Sequence, residues 1–234
     1  MILATSIGTN INLMSEELKN KLGNTKPLAC IVFASINSDY KQAGKDLKRA
    51  FPETPVIGAT SGGGQFIENQ FSRNDFVVGV IGSEDDAVSD SILIEKLDTN
   101  TDAKLEDAFS HFCSRSGQLY SDGYKNYTVL LLSDAFSIDG DSLVKKIRNY
   151  AGLQAYLAGG FAGDDFKLQN TFVIYNDMVL ENSLTALAIY SKKNLGIGVK
   201  HGGIPLEKGS LKVTKSESNL TLLNRKKKIS MFAL

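Results

Sequence analysis

Continuous apolar runs alternate along the chain with segments of helical period. Leu28 to Ala34 is uninterruptedly apolar with β-branched members, the pattern of a strand buried on both faces. After it, Ser38 or Asp39 is placed to cap a helix that carries Ala43, Leu47, Ala50 and Phe51 on one face and is ended by Pro52 and Pro55. Val56 to Phe66 is a second apolar run, breaking into small residues and the glycines Gly62, Gly63 and Gly64. Phe76 to Ile81 and Ser91 to Leu97 read as further strands, and Thr99 to Asp102 opens a helix with Leu105, Ala108, Phe109 and Phe112 inward. Ahead of these, Ile2 to Ile7 is an opening strand, and Ser15 is expected to cap a helix that stops near Gly23.

A loop expected over 116–125 separates a second half that repeats the phrase. Thr128 to Leu132 is an apolar strand, and a helix from Asp139 or Asp141 places Leu143, Ile147, Tyr150 and Ala151 inward until Gly152. Ala155 to Phe166 then breaks into glycines as Val56 to Phe66 does. Thr171 to Tyr175 is matched to Phe76 to Val80, Ser183 to Tyr190 is matched to Ser91 to Leu97, and Leu195 to Val199 adds one more strand. The halves, about 28–98 and 127–199, thus suggest an internal duplication within a domain of residues 1–200. The expected class is α/β (α+β), with mixed sheets and helices on their outer faces.

Composition narrows the function. Lys plus Arg and Asp plus Glu balance at 26 each, so no global field draws nucleic acid. The opening residues lack a basic head and a continuous apolar stretch, and no apolar run reaches membrane-spanning length, so a cytoplasmic protein without a membrane span is expected. Cys30 and Cys113 lie far apart without metal-ligand spacing and are expected to be buried small hydrophobes; no metal site is anticipated.

The candidate chemistry gathers at the strand ends. Thr60, Ser61, Gly62, Gly63 and Gly64 offer backbone N–H groups and hydroxyls suited to an anion, but lack the Gly-Lys-Ser/Thr ending of a phosphate loop; a tight bend explains them equally well. Gly159, Gly160 and Gly163 form the corresponding bend, and Asp164 and Asp165 after it either bind an amine or shape a turn. Ser35 and the pair Ser133 and Asp134 follow the two buried strands, where open α/β sheets bind ligands and where helix caps also sit. Facing glycine bends would enclose a ligand between 58–64 and 159–165. A hydrolase built on Ser61 or Ser133 is the enzymatic alternative, although no Gly-x-Ser-x-Gly elbow occurs. His201 is the histidine nearest these loops and the candidate ligand for a haem; His111 lies off its helix's apolar stripe.

Taken in order, Phe33-Ala34-Ser35, Phe51-Pro52, Val56-Ile57-Gly58-Ala59-Thr60-Ser61-Gly62-Gly63, Ala158-Gly159-Gly160-Phe161-Ala162-Gly163-Asp164, His201-Gly202-Gly203-Ile204-Pro205 and Val213-Thr214 resemble the N-terminal FIST domain, the F-box and intracellular signal transduction sensory module. The resemblance implies a non-catalytic cytoplasmic sensor that binds a small polar ligand such as an amino acid. It implies a signalling partner of the histidine kinase, cyclic-di-nucleotide enzyme or chemotaxis receptor type. Some bacterial members bind haem and respond to nitric oxide, which makes a haem sensor using His201 the alternative; otherwise no cofactor is expected. Residues 201–234 are then expected to open a C-terminal FIST portion in truncated form, with Asn224-Arg225-Lys226-Lys227 where the family usually has an acidic-Gly pair.

Overall fold

The computed structural model describes residues 1–152, 154–198, 213–217, 220–223 and 228–230. Strand β1 (Ile2–Gly8) leads into α1 (Ile11–Leu22), β2 (Lys26–Ser35), α2 (Tyr40–Ala50) and β3 (Val56–Ser61). A short hairpin, β4 (Gln65–Ile67) and β5 (Gln70–Ser72), precedes the long strands β6 (Phe76–Ser83) and β7 (Ala87–Glu95). After α3 (Thr101–Tyr120) the order resumes with β8 (Asn126–Ser133), α4 (Gly140–Ala151), β9 (Tyr156–Phe161), a second short hairpin of β10 (Val173–Tyr175) and β11 (Met178–Leu180), and β12 (Ser183–Ser191). Strands β13 (Val213–Glu217), β14 (Leu220–Leu223) and β15 (Lys228–Ser230) form a separate antiparallel sheet.

Six strands form one sheet in the order β1-β6-β2-β3-β10-β11, and four form another in the order β7-β12-β8-β9. In each, a parallel pair spanned by a helix (β2 with β3, β8 with β9) is flanked by a long antiparallel strand (β6, β12). Alternation along the apolar runs explains the layering. Cys30, Val32 and Ala34 of β2 pack with Ile11, Leu18 and Leu47 of the first two helices, whereas Ala29, Ile31 and Phe33 turn to the opposite face. There they meet Leu130 and Leu132 of β8 and Leu187 and Ile189 of β12. Val129, Leu131, Leu184 and Ala186 point the other way, onto Phe109 and Phe112 of α3 and Leu143 and Ile147 of α4. The two sheets therefore lie face to face with helices outside them, the mixed α/β class expected.

Several boundaries move. Helix α1 starts at Ile11 because Asn10, not Ser15, caps it: the Asn10 Oδ1 accepts from the N–H groups of Asn12 and Leu13 at 3.0 and 3.2 Å, while Ser15 is buried inside the helix. Helix α3 runs through Tyr120, over much of the expected 116–125 loop, because Leu119 still reaches the core. Residues 195–198 are not a strand. The matching of strands between halves also changes. The β10–β11 hairpin stands where β4–β5 stands in the first half, and β12 takes the place of β6 rather than of β7. Cys113 is exposed, one residue past the buried Phe112, so only Cys30 is the buried thiol anticipated.

Candidate functional site

The carboxyl ends of β3 and β9 meet at a seam between the halves. Gly163 N–H donates to the Thr60 carbonyl at 2.8 Å, and Gly63 N–H donates to Asp165 Oδ1 at 3.0 Å. A Cβ on Gly163 would fall 2.7 Å from Gly62 N, and one on Gly62 would fall 2.7 Å from Asp165 N. The two glycine bends therefore do face each other, but backbone lies against backbone where a hollow was expected. Glycine is required at Gly62 and Gly163 because any side chain would separate the main chains.

The other predicted polar residues are held locally. Gln65, buried, accepts from Ser35 N–H at 2.8 Å and from the Ser61 hydroxyl at 2.6 Å, and donates to the Ser72 carbonyl at 3.1 Å. That amide fills the end of the β2–β3 pair where an external ligand was anticipated. Asp164, also buried, accepts from the N–H groups of Leu168 and Gln169 at 3.0 and 2.6 Å and so builds the turn after the second bend. Ser133 Oγ donates to the Asp134 carbonyl at 3.1 Å, and no histidine or lysine contacts Ser61 or Ser133 among the described residues. Gly159 packs on β8 and Gly160 is exposed beside open space. Thr60 pairs with Phe172, its hydroxyl accepting from Phe172 N–H at 3.0 Å. His201 lies outside the described residues.

Asp134 organises a cleft of about 320 Å³ beside this seam. Its Oδ1 accepts from Phe136 N–H and Ser137 Oγ, both at 2.8 Å, and its Oδ2 accepts from the Thr171 hydroxyl at 3.1 Å and Asn182 N–H at 3.2 Å. One buried carboxylate thus ties the end of β8 to the approach to β10 and the turn before β12. With every lone-pair direction occupied, it shapes the cleft walls rather than waiting for a ligand. The walls add the side chains of Asp98 and Glu181, which make no hydrogen bond or ion pair among the described residues, together with Gln169, Asn170 and Phe136. Among the described residues no lysine or arginine lines it. Asn182 Oδ1 is buried without a hydrogen-bond partner. Burial, and then the charge of Glu181, push the Tyr40 phenol above its ordinary value.

Sequence reasoning found Asp134 but missed Thr171, Asn182, Asp98, Glu181 and Gln65. Only Asn182 carried a local signal: an Asn between two strands is a residue that tolerates the left-handed conformation it adopts, φ 48°. Gln65 meets Ser35, Ser61 and Ser72 within the first half of the chain, whereas Asp98, Thr171 and Glu181 reach Asp134 across 36 residues and more. A wider groove of about 380 Å³ between β7 and α3 contains none of the predicted residues. Lys104 bridges it, donating to the Glu95 and Lys96 carbonyls at 2.9 Å each.

The parallel pair ending in small residues, met by its counterpart across the glycine seam, is the region where the match to a known family lies. The FIST N domain model aligns with residues 29–224. The chain belongs to the FIST N domain family. FIST domains are sensory domains of signal transduction, which sets the coarse role of this chain. The matched span covers both parallel pairs, the Gly62–Gly163 contact and the whole Asp134 cleft. A comparison with curated proteins returns no match. Among the described residues no helix is long and apolar enough to cross a membrane.

Proposed function

We propose that this FIST domain is a non-catalytic cytoplasmic module that binds a small polar ligand carrying an ammonium group and passes its occupancy to a signalling partner. The observation that carries the reading is the composition of the Asp134 cleft among the described residues: two exposed carboxylates that make no hydrogen bond or ion pair, the buried Asn182 Oδ1 without a hydrogen-bond partner, and no lysine or arginine in the wall. Such a wall offers acceptors where a cationic donor belongs. Gln169 and Asn170 add amide donors for a carboxylate on the same ligand, so amino acids fall within the class. The volume sits at the small end of ligand sites, which commonly run to roughly 300–1,000 Å³.

The ligand site of this proposal thus lies beside the two glycine bends, and the bends form the contact through which the halves respond. A ligand that favours one arrangement of the halves shifts their equilibrium by its differential affinity. A histidine kinase or cyclic-di-nucleotide enzyme is the kind of partner that would read the shift. The repeated order of elements supports an origin by duplication. Thermal-shift measurements over amino acids, amines and nucleotides test the reading. At about 100 times Kd a true ligand stabilises by about 2.7 kcal/mol, which raises Tm by roughly 5–10 °C for a domain of this size. The response should vanish in the Asp98→Asn, Glu181→Gln double variant; a panel without response, or a response that survives the double variant, refutes the proposal.

A further inference from the structure

The outer edges of β3 and β9 are equivalent in geometry but differ in what covers them. A Cβ on Gly58 would meet the Val32 carbonyl at 2.4 Å, and one on Gly159 would meet the Leu131 carbonyl at 2.0 Å, so the two glycines hold the same place on their parallel neighbours. The free side of β3 is closed by β10, antiparallel, with Gly58 opposite Ile174. Among the described residues strand β9 pairs with β8 alone and ends its sheet.

Alternation identifies the open groups. Ala162 N–H donates to the Ser133 carbonyl, so residues 156, 158 and 160 turn their backbone groups toward β8 while Leu157, Gly159 and Phe161 turn theirs outward. Within the strand itself the usual protective residues are missing. Tyr156-Leu157-Ala158-Gly159-Gly160-Phe161 contains no charge and no proline, and Tyr156 and Phe161 are 51% and 45% exposed. Other edges are guarded: β7 carries Asp90 and Glu95, β11 is three residues long between Asp177 and Glu181, and β1 packs beside the β4–β5 hairpin.

We propose that β9 is a dimerisation edge that takes β9 of a second copy in antiparallel pairing centred on Gly159. This register is self-complementary. Leu157 of each copy lies opposite Phe161 of the other, Ala158 opposite Gly160, and Gly159 opposite itself, so every outward N–H and C=O of Leu157, Gly159 and Phe161 gains a partner. An uncharged strand presents no like charge to its own copy, and the two four-stranded sheets become one continuous sheet about a twofold axis.

The test combines analytical ultracentrifugation with amide hydrogen exchange on the 234-residue chain. A dimer is expected, with exchange at Leu157, Gly159 and Phe161 slowing as concentration rises while Ala158 and Gly160 stay protected throughout. Tyr156→Lys with Phe161→Lys should raise the dimer dissociation constant more than ~100-fold by placing lysines along the joint. Circular dichroism checks that this variant folds, and the exchange pattern of the unmodified chain decides the matter if it does not. A monomer persisting to about 1 mM, a dimer indifferent to the lysines, or outward amides whose exchange ignores concentration would each overturn the proposal.

Discussion

Replacing Gly163 by alanine probes the seam directly. The new Cβ would lie 2.7 Å from Gly62 N and 3.3 Å from the Ser61 carbonyl carbon, both backbone atoms. Neither strand end can withdraw cheaply, because Gly163 N–H is tied to the Thr60 carbonyl and Gly63 N–H to Asp165. Forcing a methyl group into such a contact costs about 1–3 kcal/mol. At roughly 2–4 °C per kcal/mol for a chain of this length, a 2 kcal/mol loss lowers Tm by about 4–8 °C. Gly160→Ala is the control: no atom lies within 4 Å of its added Cβ, so its Tm should stay level or rise with a gain of up to ~1 kcal/mol. Calorimetry on the three proteins decides the point. If Gly163→Ala matches the parent in Tm, the seam is looser than its geometry requires, and the glycine is serving something other than main-chain packing.

Asp134→Ala strips the acceptor from Phe136 N–H, Ser137, Thr171 and Asn182 N–H together, and should cost about 3 kcal/mol in urea unfolding; a loss under ~1 kcal/mol would show that other acceptors replace it. Lys193, the Met1 ammonium and the Ser83 hydroxyl hold the Asp86 carboxyl far below the usual carboxylate range. Because the folded value is the lower one, this stabilisation is complete above about pH 4 and is lost as pH falls toward the folded value. The stability difference between parent and Asp86→Asn should therefore be widest near neutral pH and shrink in acid; widening in acid contradicts the assignment. Burial pushes the Cys30 thiol up to about 12, whereas Cys113 is exposed. A disulfide-exchange reagent at pH 8 should label Cys113 in the native protein and Cys30 only on unfolding, and native labelling of Cys30 would show that β2 opens to solvent.

How much of the fold is legible in the sequence depends on the range of each interaction. The buried strands β2, β3 and β8 were legible because strands covered on both faces must be apolar throughout, and α2 and α4 because one helical stripe meets a sheet. The α1 start was misplaced because two residues suited to capping lie close together, and the chain's path out of β1 selects Asn10. Strand β10 falls within the strand expected over Thr171 to Tyr175, but β4, β5 and β11 were not read as strands: three residues give too little period to detect.

By itself the sequence determined the alternation of apolar runs and amphipathic helices, the two glycine bends, and membership in the FIST N domain family. Local propensity and burial act within a few residues and are written where they act. Only the tertiary structure decided that the bends touch instead of enclosing a hollow, that Gln65 fills the place expected for a ligand, and that Asp134 gathers Thr171 and Asn182 into an acidic cleft. Those outcomes depend on which strand pairs with which across long separations, and a glycine that admits a ligand and a glycine that admits another backbone are the same residue until the neighbour is in place.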